Sequence, residues 1–175
     1  MEFKEFSKIS RWSREIIITE KLDGTNGCIY NGENGEFLIG SRTRWITPDN
    51  DNYGFAKWAY ENKNELQKLG VGYHYGEWWG CGIQRGYGLK EKRFSLFNTI
   101  KWEKDRPECC NITNILYKGI LTGDIVDKTI EQLKINGSYS APGFMRPEGI
   151  VIFHTAANIC FKKTIDKDDI PKTKV

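Results

Sequence analysis

The sequence predicts an α+β domain built on antiparallel sheets. Three observations predict it. Apolar runs are short and bounded by Gly, Asn and Pro; only two or three segments carry helical spacing; and two Asn-Gly steps, Asn31-Gly32 and Asn34-Gly35, sit between apolar runs. An Asn-Gly step so flanked is a strong hairpin signal, and many strands with few helices favour sheets built from hairpins. At 175 residues the chain is long enough for one domain with its own core. No internal repeat, low-complexity segment or linker divides it, so residues 1–175 are read as a single domain.

The elements follow in order. Phe3, Phe6, Ile9 and Trp12 recur every three residues, as a short helix or a packed lead-in. The β-branched run Ile16-Ile17-Ile18-Thr19 is a buried strand, and Lys21 stands at its exit, ahead of Asp23 and Gly24. Gly24 permits the backbone to turn and a ligand to approach it. Cys28-Ile29-Tyr30 and Phe37-Leu38-Ile39 are the hairpin strands, the second running out into Ser41-Arg42-Thr43-Arg44. Asp51 or Asn52 caps a helix carrying Phe55, Trp58, Ala59, Leu66 and Leu69, with Gly70 as its stop. Tyr73 to Gly80 is a strand that enters a glycine-rich loop ending near Gly88. Arg93 to Asn98 and Ile112 to Tyr117 read as further strands, and Asp124 to Asn136 as a short helix before Gly137. Ser138 to Pro147 is a loop with two prolines. Glu148 to Phe153 and Asn158 to Thr164 form a strand pair, and Asp166 to Val175 is a solvated or frayed tail.

Composition excludes several classes. A hydrophobic share of 39% and a charged share of 28% are ordinary for a soluble globular chain, and runs such as Ile150-Val151-Ile152-Phe153 are too short to span a bilayer. A net charge of +3 does not by itself mark a nucleic-acid binder. The five cysteines include the adjacent pair Cys109-Cys110 but no C-x₂-C spacing, and no secretory leader is read ahead of them. Reduced thiols and a cytoplasmic location are expected.

Five blocks stand in sequence order: Lys21-x-Asp23-Gly24, Ser41-Arg42-Thr43, Gly76-Glu77, Phe94 to Asn98, and Glu148-Gly149 followed by Phe161-Lys162-Lys163. Together they resemble the nucleotidyltransferase motifs of covalent polynucleotide ligases and capping enzymes. The resemblance spans roughly residues 15–164 and is closest to RNA ligases of the RNA ligase 2 kind, where Thr-Asn follows the first motif as Thr25-Asn26 does here. DNA ligases and capping enzymes usually carry arginine at the place of Asn26. The resemblance implies an adenylyltransferase domain of antiparallel sheets with flanking helices and ATP in the cleft between the sheets.

The residues suit that chemistry. A lysine attacks a nucleotide α-phosphorus only as the neutral amine; with a reference pKa of about 10.4, roughly one in a few thousand is free base at neutral pH. Partial burial and nearby cations lower that value. Lys162, Lys163, Arg42 and a divalent metal are the expected cations, and they also offset phosphoryl charge. Asp23 shares a strand face with Lys21 and either orients the amine, receives its proton or shapes the turn at Gly24; RNA ligase 2 relatives often have histidine there. Arg42 offers planar donors for phosphate or ribose, and Arg44 shares its face. The resemblance places Glu20, Lys21, Leu22 and Asn26 at the nucleotide, Glu77 on the ribose and Phe97 on the adenine. Phe94 and Phe97 have opposite parity, so one faces the pocket and the other the core. Glu148 opens an apolar strand where an unpaired carboxylate is unfavourable, which fits a magnesium ligand acting through water. Lys162 and Lys163 point to opposite faces, and Lys162 is the better match to the lysine that reaches the phosphates.

The function implied is ATP-dependent RNA ligation with Mg²⁺ or Mn²⁺. Lys21 takes AMP from ATP, passes it to an RNA 5′-phosphate, and a 3′-hydroxyl then expels it. The expected partners are RNA ends, nicked or single-stranded. Only eleven residues follow Thr164, so no OB domain and no helical C-terminal domain is expected, and three readings stand: a minimal stand-alone ligase, a part that needs a partner domain or subunit, or a piece of a longer protein. Rival readings are a DNA-nick ligase core, a capping guanylyltransferase, disfavoured by Asn26, and a non-catalytic nucleotide- or RNA-binding module.

Overall fold

The structure is a computed structural model and describes residues 1–170. Its strands run β1 (Glu15–Lys21), β2 (Thr25–Asn31), β3 (Phe37–Gly40) and β4 (Trp45–Ile46), followed by helices α1 (Phe55–Glu61) and α2 (Lys63–Leu66). After a 3-10 turn, Gln67–Leu69, come β5 (Gly72–Gly80), β6 (Lys92–Leu96), the short helix α3 (Thr99–Trp102), β7 (Cys110–Ile112) and β8 (Ile115–Ile120). Helix α4 (Ile125–Asn136) and the pair β9 (Gly149–His154) and β10 (Ile159–Thr164) complete the elements of the described residues. The strands form two sheets, one ordered β10-β9-β1-β8 and one ordered β4-β3-β2-β5-β6-β7. All pairings are antiparallel except β6 with β7, which is parallel. The α+β class is as the sequence predicts.

Each sheet buries its outer face under a helix. Ile16, Ile18, Ile150 and Ile152 of the four-stranded sheet pack with Ile130 and Leu133 of α4. Ile29, Ile39, Phe94 and Leu96 of the six-stranded sheet pack with Phe55, Ala56 and Ala59 of α1. Asp51 accepts hydrogen bonds from the first-turn amides of Ala56 (2.7 Å) and Lys57 (3.0 Å), satisfying two of the orphan donors of α1. Gly27 and Gly76 lie opposite each other on β2 and β5. A Cβ at Gly27 would fall 2.6 Å from the Phe55 ring and 2.9 Å from that of Phe94, and one at Gly76 would fall 2.7 Å from Phe94. The two glycines are a floor on which these rings rest.

Four sequence expectations change. Residues 1–14 form neither a helix nor a packed lead-in; Phe3, Phe6, Ile9 and Trp12 are all exposed. At about 100° per residue, a three-residue repeat spreads four side chains over roughly 180° of a helix, so no single apolar face exists. The helix over 55–69 breaks at Asn62, whose side-chain amide donates to the Trp58 carbonyl at 2.8 Å and competes with the helical ladder. Ser41 to Arg44 is a turn, closed by the Ser41 amide on the Arg44 carbonyl at 2.8 Å, and β4 doubles back from it onto β3. Ile112 to Tyr117 is two strands in different sheets, because Thr113 and Asn114 carry the chain across between them. The start of the charged tail is held by Asp168, which accepts from the Thr164 amide at 2.8 Å; the rest of that expected tail, 171–175, lies outside the described residues. Among the described residues no helix is long and apolar enough to cross a membrane.

Gly27→Ala forces the Phe55 ring out of its seat and is expected to lower stability by about 1–3 kcal/mol, read as a lower urea midpoint at unchanged slope.

Candidate active site

Three residues, Leu22, Asp23 and Gly24, take the chain from the end of β1 into β2, from one sheet to the other. A Cβ at Gly24 would meet the Trp78 carbonyl at 2.4 Å and Trp79 Cβ at 2.7 Å, so only glycine lets this crossing press against β5. Between the inner faces of the sheets lies a cavity of about 910 Å³. Strand parity decides what enters it. Ile17, Thr19 and Lys21 share a face of β1 with Val151 and Phe153 of β9 and with Cys160 and Lys162 of β10. Asn26, Tyr75, Glu77 and Phe97 line the opposing wall.

Lys21 Nζ donates to Glu148 Oε2 at 2.7 Å, and the Glu148 side chain is 5% exposed. The nearest charge to the lysine is thus a carboxylate, not the cluster of cations the sequence led us to expect. Glu77 accepts from the Gly24 amide at 3.1 Å and from the Asn26 side-chain amide at 3.4 Å. Burial pushes its carboxyl up to about 7, against the opposite pull of the Lys21 charge and the Gly24 amide. Asp23 turns from Lys21 to Arg85, whose Nε donates at 2.9 Å, while the Asp23 amide donates to the Tyr87 hydroxyl at 2.8 Å. Tyr87 is buried, and burial raises its pKa, so it stays a neutral phenol. Glu20 and Leu22 border the cavity, but the Glu20 carboxylate accepts from both the amide and hydroxyl of Ser140, each at 2.9 Å, and Leu22 packs on Trp79 and Tyr87.

The expected residues therefore divide. Lys21, Asn26, Glu77, Phe97 and Lys162 meet at one cavity, and Glu148 joins them through its bond to Lys21. Phe97 opens to the cavity while Phe94 is fully buried, the split their parity requires. Lys163 lies on the far face and donates to Asp127 of α4 at 2.8 Å. Arg42 is exposed on the β3–β4 turn and outside the cavity lining. Sequence reasoning missed Thr19 and Tyr75, although each stands two residues from a chosen one and shares its face. It also missed Arg85, Tyr87 and Ser140, which reach the site from loops without periodic signal.

A sequence profile described as RNA ligase matches residues 14–167. The chain belongs to the RNA ligase family. No curated protein matches it. Among solved structures it is similar to Naegleria gruberi RNA ligase: a mutant with AMP and Mn at 20% identity and TM-score 0.66, covering 87% of this chain and 50% of that one. A mutant with ATP and Mn gives 20% identity, TM-score 0.66 and coverages of 89% and 51%; an apo mutant gives 20%, 0.65, 89% and 50%. At that identity the likeness shows a shared fold, and this RNA ligase family chain spans about half the length of the solved chains it matches.

Among the described residues no three His, Cys, Asp or Glu side chains gather in a metal-holding group. Mg²⁺ keeps several waters and binds through one or two carboxylates together with substrate phosphates. The buried Glu148 carboxylate beside Lys21 fits that donor set as its one protein carboxylate.

The Glu77 carboxyl gives a pH signature. Its folded pKa of about 7 lies above the unfolded value of about 4.3, so between these limits the folded chain holds a proton that the unfolded chain has lost. Stability should fall as pH rises through that window, by an amount on the order of 3 kcal/mol, and level off above it. Glu77→Gln should flatten this slope in urea midpoints taken from pH 4 to 8.

Proposed function

We propose that this chain is the adenylyltransferase core of an ATP-dependent RNA ligase. Residues 1–175 act as a single catalytic domain with ATP in the cavity between the sheets. Lys21 attacks only as the free amine; Nζ passes its proton to Glu148 Oε2, 2.7 Å away, or to solvent, and turns towards the α-phosphorus. The N–P bond forms, the α–β phosphoanhydride breaks and pyrophosphate leaves. Lys162, on the same sheet face, offsets the phosphate charge; Glu77 and Asn26 hold the ribose, and Phe97 stacks on the adenine, a contact worth about 1–3 kcal/mol. The 5′-phosphate of an RNA end then displaces Lys21, giving an adenylylated end, and a 3′-hydroxyl attacks that end and expels AMP. Glu148 would hold a Mg²⁺ or Mn²⁺ ion, which supplies positive charge against the phosphates when bound.

The observation that carries this reading is the convergence of Lys21, Glu148, Glu77, Phe97 and Lys162 on one cavity in a chain of the RNA ligase family. The ATP and Mn, or AMP and Mn, of the Naegleria structures add support for the cosubstrate and metal. This chain covers about half of theirs, and the sealing steps would draw on further domains, whether in the same protein or in a partner. A cytoplasmic location completes the reading.

Incubation with α-labelled ATP tests it. Wild type is expected to carry label covalently, Lys21→Ala none, and Lys162→Ala at least about tenfold less, as fits loss of phosphate charge stabilisation. Equal labelling of wild type and Lys21→Ala would sink the assignment, and tight ATP binding without covalent product would favour a binding module. Sealing of matched RNA and DNA nicks then separates RNA ligase from DNA ligase.

A further inference from the structure

The wall of the cavity that carries Glu77 does not end at the cavity. Parity continues it along the same face of the six-stranded sheet: Asn26, Cys28 and Tyr30 on β2 lie opposite Glu77, Tyr75 and Tyr73 on β5. Tyr30 is also opposite Leu38 of β3, and Gly40 is opposite Trp45 of β4. The result is a strip of rings. Tyr73 and Tyr75 lie nearly parallel, at 8° with centroids 6.2 Å apart; Tyr30 is 4.6 Å from Tyr73, and Trp45 lies 6.4 Å from Tyr73 at 22°. These rings face water: Tyr73 and Tyr75 are each 56% exposed and Trp45 is 48% exposed. Gly40 makes room for Trp45, since a Cβ there would press the indole at 3.3 Å.

We propose that this strip is a stacking track for the unpaired bases of an RNA strand running into the cavity. The inference rests on the RNA ligase reading and extends it to how the strand is held. Two features favour nucleic acid over a protein partner. First, the strip is continuous with the cavity through Tyr75, which lines both. Second, its far end at Trp45 adjoins the exposed turn bearing Arg42 and Arg44, so an occupant bridges a phosphate-handling cavity and two guanidinium groups. A polyanion with planar bases satisfies both ends and the rings between them. From β5 to β4 the sheet spans about 14 Å, room for a few nucleotides. A regular duplex hides its base faces in its own stack and offers the rings nothing to cover. The track also gives Arg42 a place of action outside the nucleotide pocket, at the backbone of the incoming strand.

Fluorescence anisotropy with a short 5′-phosphorylated single-stranded RNA, and with a duplex RNA of the same sequence, tests the track. Tyr73→Ala and Trp45→Ala should each weaken single-strand binding about tenfold while leaving duplex binding unchanged, and Tyr73→Phe should retain single-strand binding, because the ring and not the hydroxyl does the stacking. Wild-type single-strand affinity in both alanine variants would overturn the track, as would equal loss on single strand and duplex. Covalent labelling of wild type by α-labelled ATP keeps the two questions apart. No label overturns the ligase reading; label together with unaltered RNA affinity in both alanine variants overturns the track alone.

Discussion

The crossing at Leu22-Asp23-Gly24 constrains everything around it. Glycine is required there because the chain presses on β5 more closely than any Cβ allows. Arg85 and Tyr87 then clamp Asp23 from the side chain and from the backbone. With the crossing fixed, the last residue of β1 sits at the lip of the cavity, and the two sheets are held at a separation that leaves a space rather than a core. A second crossing at Thr113 and Asn114 ties the sheets again, and Asn114 accepts from the Glu20 amide at 2.9 Å.

The sheets divide the work of stability and chemistry by face. Their outer faces are aliphatic or aromatic and are sealed by α4 and α1. Their inner faces carry Lys21, Lys162, Glu77 and the open ring of Tyr75. Buried charge is partnered: Glu148 with Lys21 in the cavity, and Oε2 of Glu20, on the opposite face of β1, with the amide and hydroxyl of Ser140. Glu77 has weaker partners, and burial pushes its carboxyl up to about 7.

Much of this was legible in the chain because strand parity is a strict rule. It separates Phe94 from Phe97 and Lys162 from Lys163, and the structure divides both pairs in that way. Where parity has no purchase, the sequence misleads. Ser41 to Arg44 looks like a strand extension, yet it closes a turn and leaves Arg42 outside the cavity. Ile112 to Tyr117 looks like one strand, yet its middle residues change sheets. Arg85 and Ser140 come from irregular loops, where no period announces which side chain points inward. Glu148 is legible as a site residue, but its direct bond to Lys21 is not, since a separation of 127 residues leaves no local trace.

That separation has a consequence for biogenesis. The strand that ends in Lys21 is paired on both sides by segments made much later, β8 and β9, so its hydrogen bonds wait for most of the chain. Non-local pairings of this kind close slowly because loop entropy must be overcome first. The hairpin β2–β3, and β5 beside it, can assemble earlier from nearer neighbours. On a ribosome the lysine therefore emerges well over a hundred residues before its carboxylate, and a nascent chain holds no Lys21–Glu148 pair until β9 follows.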